Sequence, residues 1–150
     1  SAALGKEFQL KTLGIIRGEE LQNKFQENPT LKLAHGNGME FRFVTREAYR
    51  NKESLTQISQ KEFPEALIIP EGGTNHRAVE GIQYMLNSET KSFDYLCTAV
   101  GTGGTVAGIS KFAEENQQVL GFKVVDDDSL YNRVVELSKR NNCKLNKRRK

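Results

Sequence analysis

The sequence predicts an α/β protein: a mostly parallel sheet with helices on both faces, in a three-layer α/β/α arrangement. Short apolar runs of strand length alternate along the chain with longer segments whose apolar residues recur at helical spacing. Several of the runs read as buried strands, as parallel strands covered by helices require. Two of them end in glycine-rich bends, the pattern expected where parallel strands hand over to helices.

The elements follow in order. Ala2 to Phe8 is helix-like, with Leu4 and Phe8 four apart, and TLGIIRG from Thr12 reads as a buried strand. Glu19 to His35 is helical in part, with Pro29 breaking or restarting it. GNGMEFRFVT is a Gly-Asn-Gly turn followed by a strand with Met39, Phe41 and Phe43 on one side. Arg46 to Phe63 is polar with Leu55 and Ile58 at helical spacing, and EALIIPEGG supplies a further strand. Val79, Ile82, Met85 and Leu86 share a helical face ahead of the strand YLCTAV, and Val106, Ile109, Phe112 and Ala113 repeat it ahead of QVLGFKVV. Leu130, Val134 and Leu137 make the last face, with Asp128 or Ser129 as N-cap. Five strands are therefore expected. A boundary between Lys61 and Ala66 divides the chain into domains 1–63 and 64–150.

Composition sets outer limits. At 37% hydrophobic and 27% charged residues the chain reads as soluble and globular, and no apolar run nears the roughly 20 residues needed to cross a bilayer. The opening SAALGKEFQL lacks the pattern of a secretory signal, so the expected home is the cytoplasm. Cys97 and Cys143 have no C-x-x-C or His-rich neighbour, which argues against zinc or a disulfide framework; Cys97, in an apolar run, is expected to be a small buried side chain. The net charge of +3 is uneven: residues 139–150, KRNNCKLNKRRK, carry seven Lys and Arg and no acid. That tail lacks aromatic residues for base stacking, so a solvated helix end is favoured over nucleic-acid contact.

Ligand chemistry concentrates at two strand ends, PEGGTNH and YLCTAVGTGGT. In the second, Gly101, Gly103 and Gly104 allow a tight turn and close approach to a bound group, while Thr102 and Thr105 add hydroxyls. A helix start here aims several N–H groups at one anion, and a phosphate is the natural guest. The loop has no Gly-Lys-Ser/Thr ending, and the G-x-G-x-x-G pattern fails because Val106 stands where the third glycine should be. A nucleoside triphosphate and a dinucleotide are both disfavoured. A cofactor with a single phosphate fits better.

IIPEGGTNHRAVEGIQYM followed by FDYLCTAVGTGGTVAGI resembles the pyridoxal-phosphate enzymes of the 1-aminocyclopropane-1-carboxylate deaminase and D-cysteine desulfhydrase family, within the tryptophan-synthase-β-like, fold type II group. The earlier AALGKEFQLKTLGIIRGEE and NPTLKLAHGNGMEFRFVTREAY resemble its smaller domain, so 1–63 and 64–150 would be parts of the small and the large, phosphate-binding domain. The resemblance implies pyridoxal 5'-phosphate as cofactor, its phosphate held by Gly101, Thr102, Gly103, Gly104 and Thr105, with Gly72, Gly73, Thr74 and Asn75 bordering cofactor or substrate. It implies a small amino acid as substrate: aminocyclopropane carboxylate giving 2-oxobutanoate and ammonia, or D-cysteine giving pyruvate, hydrogen sulfide and ammonia. The parent is expected to be a homodimer. The family's Schiff-base lysine lies in an N-terminal stretch that precedes the residues matched here, so this chain is expected to be a fragment without catalytic residues of its own and inactive alone.

Two alternatives stay open. GTGGT also occurs in cysteine synthases, which perform β-replacement, and a non-catalytic remnant could still bind a phosphorylated ligand or a partner. None of Lys6, Lys11, Lys24 or Lys32 sits in a matching motif, and an ordinary solvated lysine is protonated and a poor nucleophile. His76 adjoins the GGTN loop and either lines the site or stands on the surface at a helix start; His35 is structural. Asp126 to Asp128 favour helix capping over cation binding, since no other ligand spacing supports a metal.

Overall fold

The structure is a computed structural model that describes residues 1–146; the last four residues of the basic tail lie outside the described residues. The chain divides into two compact units, Ser1–Ile68 and Ile69–Lys150.

The first unit is built on two strands, β1 (Thr12–Arg17) and β2 (Met39–Val44), parallel and in register from Thr12↔Met39 to Arg17↔Val44. A parallel pair needs a crossover, and it is made by two 3-10 turns and the helix α2 (Pro29–Gly36). Pro29 starts this helix at a position whose N–H has no helical partner, and Asn28 Oδ1 caps it by accepting from Thr30 N (3.0 Å) and Leu31 N (3.2 Å). Phe41 and Phe43, two apart on β2, share a ring cluster with Phe25 and His35; centroids lie 5.1 Å apart for Phe25–His35 and 5.4 Å for Phe25–Phe41. His35 is thereby accounted for structurally. The helix α1 (Ala2–Glu7) buries Ala2 and Gly5, whereas Leu4 and Phe8 are exposed. Its small side faces inward because a Cβ on Gly5 would meet Thr12 Cγ2 at 2.5 Å. Two further helices, α3 (Arg46–Arg50) and α4 (Lys52–Glu62), are capped by Thr45 and Asn51, which accept from Ala48 N and Ser54 N at 3.0 Å each.

The strand expected in EALIIP does not form. Ala66 to Pro70 joins no sheet, and Leu67 and Ile69 are 62% and 58% exposed. Apolar content makes a strand only when a neighbour pairs its N–H and C=O groups, and none does so among the described residues.

The first α-helix of the second unit is α5 (His76–Gly81), which follows a 3-10 turn at Glu71–Gly73 and tightens into another at Ile82–Met85. That change of pitch rotates the expected face: Val79 is buried and Ile82 packs on the core, but Met85 is exposed. Next come β3 (Tyr95–Val100), α6 (Gly104–Phe112), β4 (Gln118–Lys123), α7 (Leu130–Ser138) and β5 (Cys143–Asn146). The three strands are parallel in the order β3-β4-β5, linked by two strand-helix-strand crossovers. Val100, Val119 and Cys143 point from one sheet face into a core completed by Val79, Val106, Ala107, Ile109, Leu130 and Val134. The opposite face carries Tyr95, Cys97, Ala99, Phe122 and Lys144, all exposed. Cys97 is therefore not the buried thiol expected from its apolar run; strand alternation turns it outward between Leu96 and Thr98.

The basic tail is likewise not a solvated helix end as far as Asn146. Lys139, in the left-handed conformation (φ 58°), ends α7, Arg140 Nη1 donates to Ala113 O at 2.7 Å, and Cys143–Asn146 forms β5. At the other end of α7, Ser129 takes the N-cap position, but its N and Oγ donate to Asp127 Oδ1 (2.9 and 2.6 Å) in place of a cap bond. Parallel strands in two sheets with helices around them make the α/β class read from the sequence, consistent with a three-layer α/β/α fold. Among the described residues no helix is long and apolar enough to cross a membrane.

Candidate functional site

The chain leaves β3 at Val100, bends through Gly101 and Thr102, and enters α6 with Gly103 as the N-cap residue. Gly103 has φ +95°, a left-handed value that L side chains rarely adopt, and a Cβ there would stand 3.0 Å from Leu130 Cδ1 and 3.1 Å from Val134 Cγ2. Among the described residues none of the N–H groups from Thr102 to Val106 donates to a backbone carbonyl. These are the four free donors of a helix start, Gly103 to Val106, extended by one loop residue, Thr102. Together with the positive end of the α6 dipole they make an environment for an anion.

A second loop closes the other side. Glu71–Gly73 forms a 3-10 turn in which Gly72 has φ +76°, and a Cβ on Gly72 would lie 2.5 Å from Thr102 Cγ2. In return, a Cβ on Gly104 would lie 2.8 Å from Thr74 Oγ1. The two loops interlock. Thr74 Oγ1 and Thr102 Oγ1 are 2.6 Å apart and share a hydrogen bond in which either can donate. Glycines at 72 and 104 are what let two threonine side chains from separate loops meet.

The interlocked loops enclose a cavity of about 220 Å³, with the 72–74 and 101–105 segments as its polar wall and Ala78, Ile82, Ala99, Val100 and Val106 as its apolar one. That is smaller than the roughly 300–1,000 Å³ of pockets that take whole drug-sized ligands, and it suits the charged head of a ligand. Gly101, Thr102, Gly103, Gly104 and Thr105 all line it, as do Gly72, Gly73 and Thr74. Asn75 does not; its Oδ1 caps α5 by accepting from Ala78 N at 2.8 Å. His76 is exposed at the start of α5 and is not among the lining residues.

No lining residue has an ionisable side chain. The site offers N–H dipoles and the hydroxyls of Thr74, Thr102 and Thr105 for binding. Among the described residues no three His, Cys, Asp or Glu side chains cluster to hold a metal, and Asp126 to Asp128 form no such group.

Sequence reasoning missed two contributions. The apolar wall from Ala78 and Ile82 carries no chemical signal beyond helical spacing. The other is α7, whose Leu130 and Val134 press on Gly103 and whose Arg133 reaches the Thr102 carbonyl at 3.5 Å. Asp127, beside Arg133, is held below the ordinary carboxylate value, first by the Ser129 hydroxyl, then by the Ser129 N–H, with Arg133 adding to both.

No protein-family model matches the chain. A Thermotoga maritima protein named "Putative 1-aminocyclopropane-1-carboxylate deaminase" is 33% identical over 108 residues, an alignment covering 63% of this chain and 34% of that protein. The matched part thus spans about a third of the length of the curated relative.

Proposed function

We propose that the cavity between the two glycine-rich loops binds the phosphate of pyridoxal 5'-phosphate, and that this chain is part of an enzyme of the 1-aminocyclopropane-1-carboxylate deaminase and D-cysteine desulfhydrase family. One observation carries the reading: the two loops singled out in the sequence close on one cavity rimmed by unpaired N–H groups at the start of α6. The name of the Thermotoga maritima relative supports the same family.

The residues present fit a phosphate. Gly101, Thr102, Gly103, Gly104 and Thr105 would hold it through main-chain N–H groups and the hydroxyls of Thr102 and Thr105, while Gly72, Gly73 and Thr74 would wall the adjoining side. When bound, the cofactor supplies a conjugated ring that takes up electrons released at the α-carbon of an amino acid. The part played by these residues is to fix that ring by its phosphate. The substrate class is a small amino acid, with deamination or desulfhydration as the reaction of the whole enzyme.

This chain by itself would bind and not turn over. The cavity wall of main-chain N–H groups and threonine hydroxyls supports the binding half of that proposal. The test is titration of the 150-residue protein with pyridoxal 5'-phosphate, and with pyridoxal as the control without phosphate, while the amide resonances are followed. The expected result is saturable binding of the phosphorylated form, with the largest shifts at Gly101 to Thr105. Shifts centred elsewhere, or equal affinity for pyridoxal, would refute the assignment.

A further inference from the structure

Thr102 is held from two sides. Its hydroxyl meets Thr74 Oγ1 at 2.6 Å, and its carbonyl accepts from Arg133 Nη1 at 3.5 Å. Arg133 is not free to swing: Nη2 donates to Ser129 Oγ at 3.0 Å, and Nη1 lies 3.4 Å from Asp127 Oδ2. Asp127 is itself fixed, accepting from Ser129 N and Oγ through Oδ1 and receiving the Lys123 ammonium at its main-chain carbonyl at 2.7 Å. Lys123 is only 9% exposed and stands opposite Val100 in the β3–β4 register, so the chain of contacts is rooted in the sheet.

The geometry follows from the planarity of the peptide. Every peptide bond among the described residues is trans, so in the Thr102–Gly103 unit the carbonyl and the N–H point in opposite directions. A guanidinium that holds the Thr102 carbonyl toward α7 therefore turns the Gly103 N–H the other way, away from α7. Gly103, with φ +95° and no Cβ, has little local preference of its own to set that orientation.

We infer that Arg133, anchored by Asp127 and Ser129, is a positioning residue for the anion site: it sets the Thr102–Gly103 peptide plane so that the Gly103 N–H is presented to a phosphate. The inference rests on the phosphate reading above. It assigns to α7, none of whose residues lines the cavity, a share in selecting a phosphorylated ligand over the same ligand without phosphate.

The experiment compares pyridoxal 5'-phosphate and pyridoxal by calorimetry on the wild-type chain and on Arg133→Met, Arg133→Lys and Asp127→Asn. Arg133→Met should weaken pyridoxal phosphate about tenfold and leave pyridoxal and the melting temperature unchanged. Asp127→Asn, which loosens the anchor without removing the guanidinium, should show a smaller loss of the same kind. Arg133→Lys keeps the charge but not the planar fork, and should recover less than half of the loss. An equal loss for both ligands would mean that Arg133 acts on folding alone, and full recovery by lysine would mean that charge alone acts; either overturns the positioning role. Unchanged affinity in Arg133→Met, with binding abolished in Gly103→Val, would overturn it while sparing the phosphate site. If the wild-type chain binds neither ligand, both readings fall.

Discussion

The two units are built from the same kind of parallel strand and capped helix, yet they bury very different amounts. In Ser1–Ile68 the strand residues Thr12 to Ile16 are half-buried, and Ala2 is the one buried hydrophobic among the described residues. In Ile69–Lys150 a cluster from Val79 to Cys143 includes Val106, Val119, Leu130 and Val134, each at 1% exposure or less. The difference lies in the crossovers. The first unit joins its strands through 3-10 turns and one eight-residue helix, while the second lays α6 and α7 along the sheet. Positive φ at glycine needs no such surroundings, since Gly18 in the first unit has φ +107°; what the second unit adds is a packed core, Leu130 and Val134 included, behind the glycines that line its cavity.

That contrast can be broken most directly in the core. Leu130→Ala should cost about 3 kcal/mol, as truncations of fully buried leucines do, and Leu13→Ala on half-buried β1 about 1 kcal/mol. Urea unfolding measures both, and equal costs would erase the distinction. Glycines sharpen it, because one substitution should act with opposite signs. Gly72→Ala forces a left-handed φ and drives a methyl into Thr102, so it should destabilise by about 2 kcal/mol. Gly36→Ala in α2 meets nothing within 4 Å and should stabilise by about 0.5 kcal/mol.

A smaller effect separates the two thiols of the second unit. Cys97 faces solvent and should react at once with a disulfide reagent. Cys143, buried in the core with its thiol pushed up by that burial, should react only on unfolding. Two fast thiols would show that β5 is not docked. The smallest effect lies at the surface of the first unit, where Arg42 donates two hydrogen bonds of 2.6 Å to Glu62. These bonds hold the Glu62 carboxyl below its ordinary value. Its contribution is therefore present above the ordinary carboxylate pKa and lost as pH falls through the lowered one. Glu62→Gln should flatten the melting temperature on the acid side of the ordinary carboxylate pKa relative to wild type, and an unaltered acid profile would dismiss the pair.

Much of this was legible in the residues themselves. Four of the strands, the starts of α2 and α6, and both glycine loops follow from local rules, because spacing, capping residues and turn chemistry act over a few positions. The misreadings share one cause. EALIIP has the composition of a strand but no partner among the described residues, and CKLN has the alternation of a strand, Cys143 and Leu145 inward, under a covering of Lys and Arg. The company Cys97 keeps in sequence points it inward, but the pleat alternates regardless of company. Partners and faces are long-range facts. The convergence of residues 72–74 with 101–105 belongs to the same class: each loop carried its signal, but nothing local said that Thr74 and Thr102 would share a hydrogen bond.

The seating of Leu130 and Val134 against Gly103 also has a kinetic side. These contacts join positions some thirty residues apart, across one entire crossover, so they form only after that loop has closed. During refolding the turn after β3 would exist as a loose bend well before it becomes a receptacle. The moment at which the chain first captures a phosphorylated ligand would then date the arrival of α7.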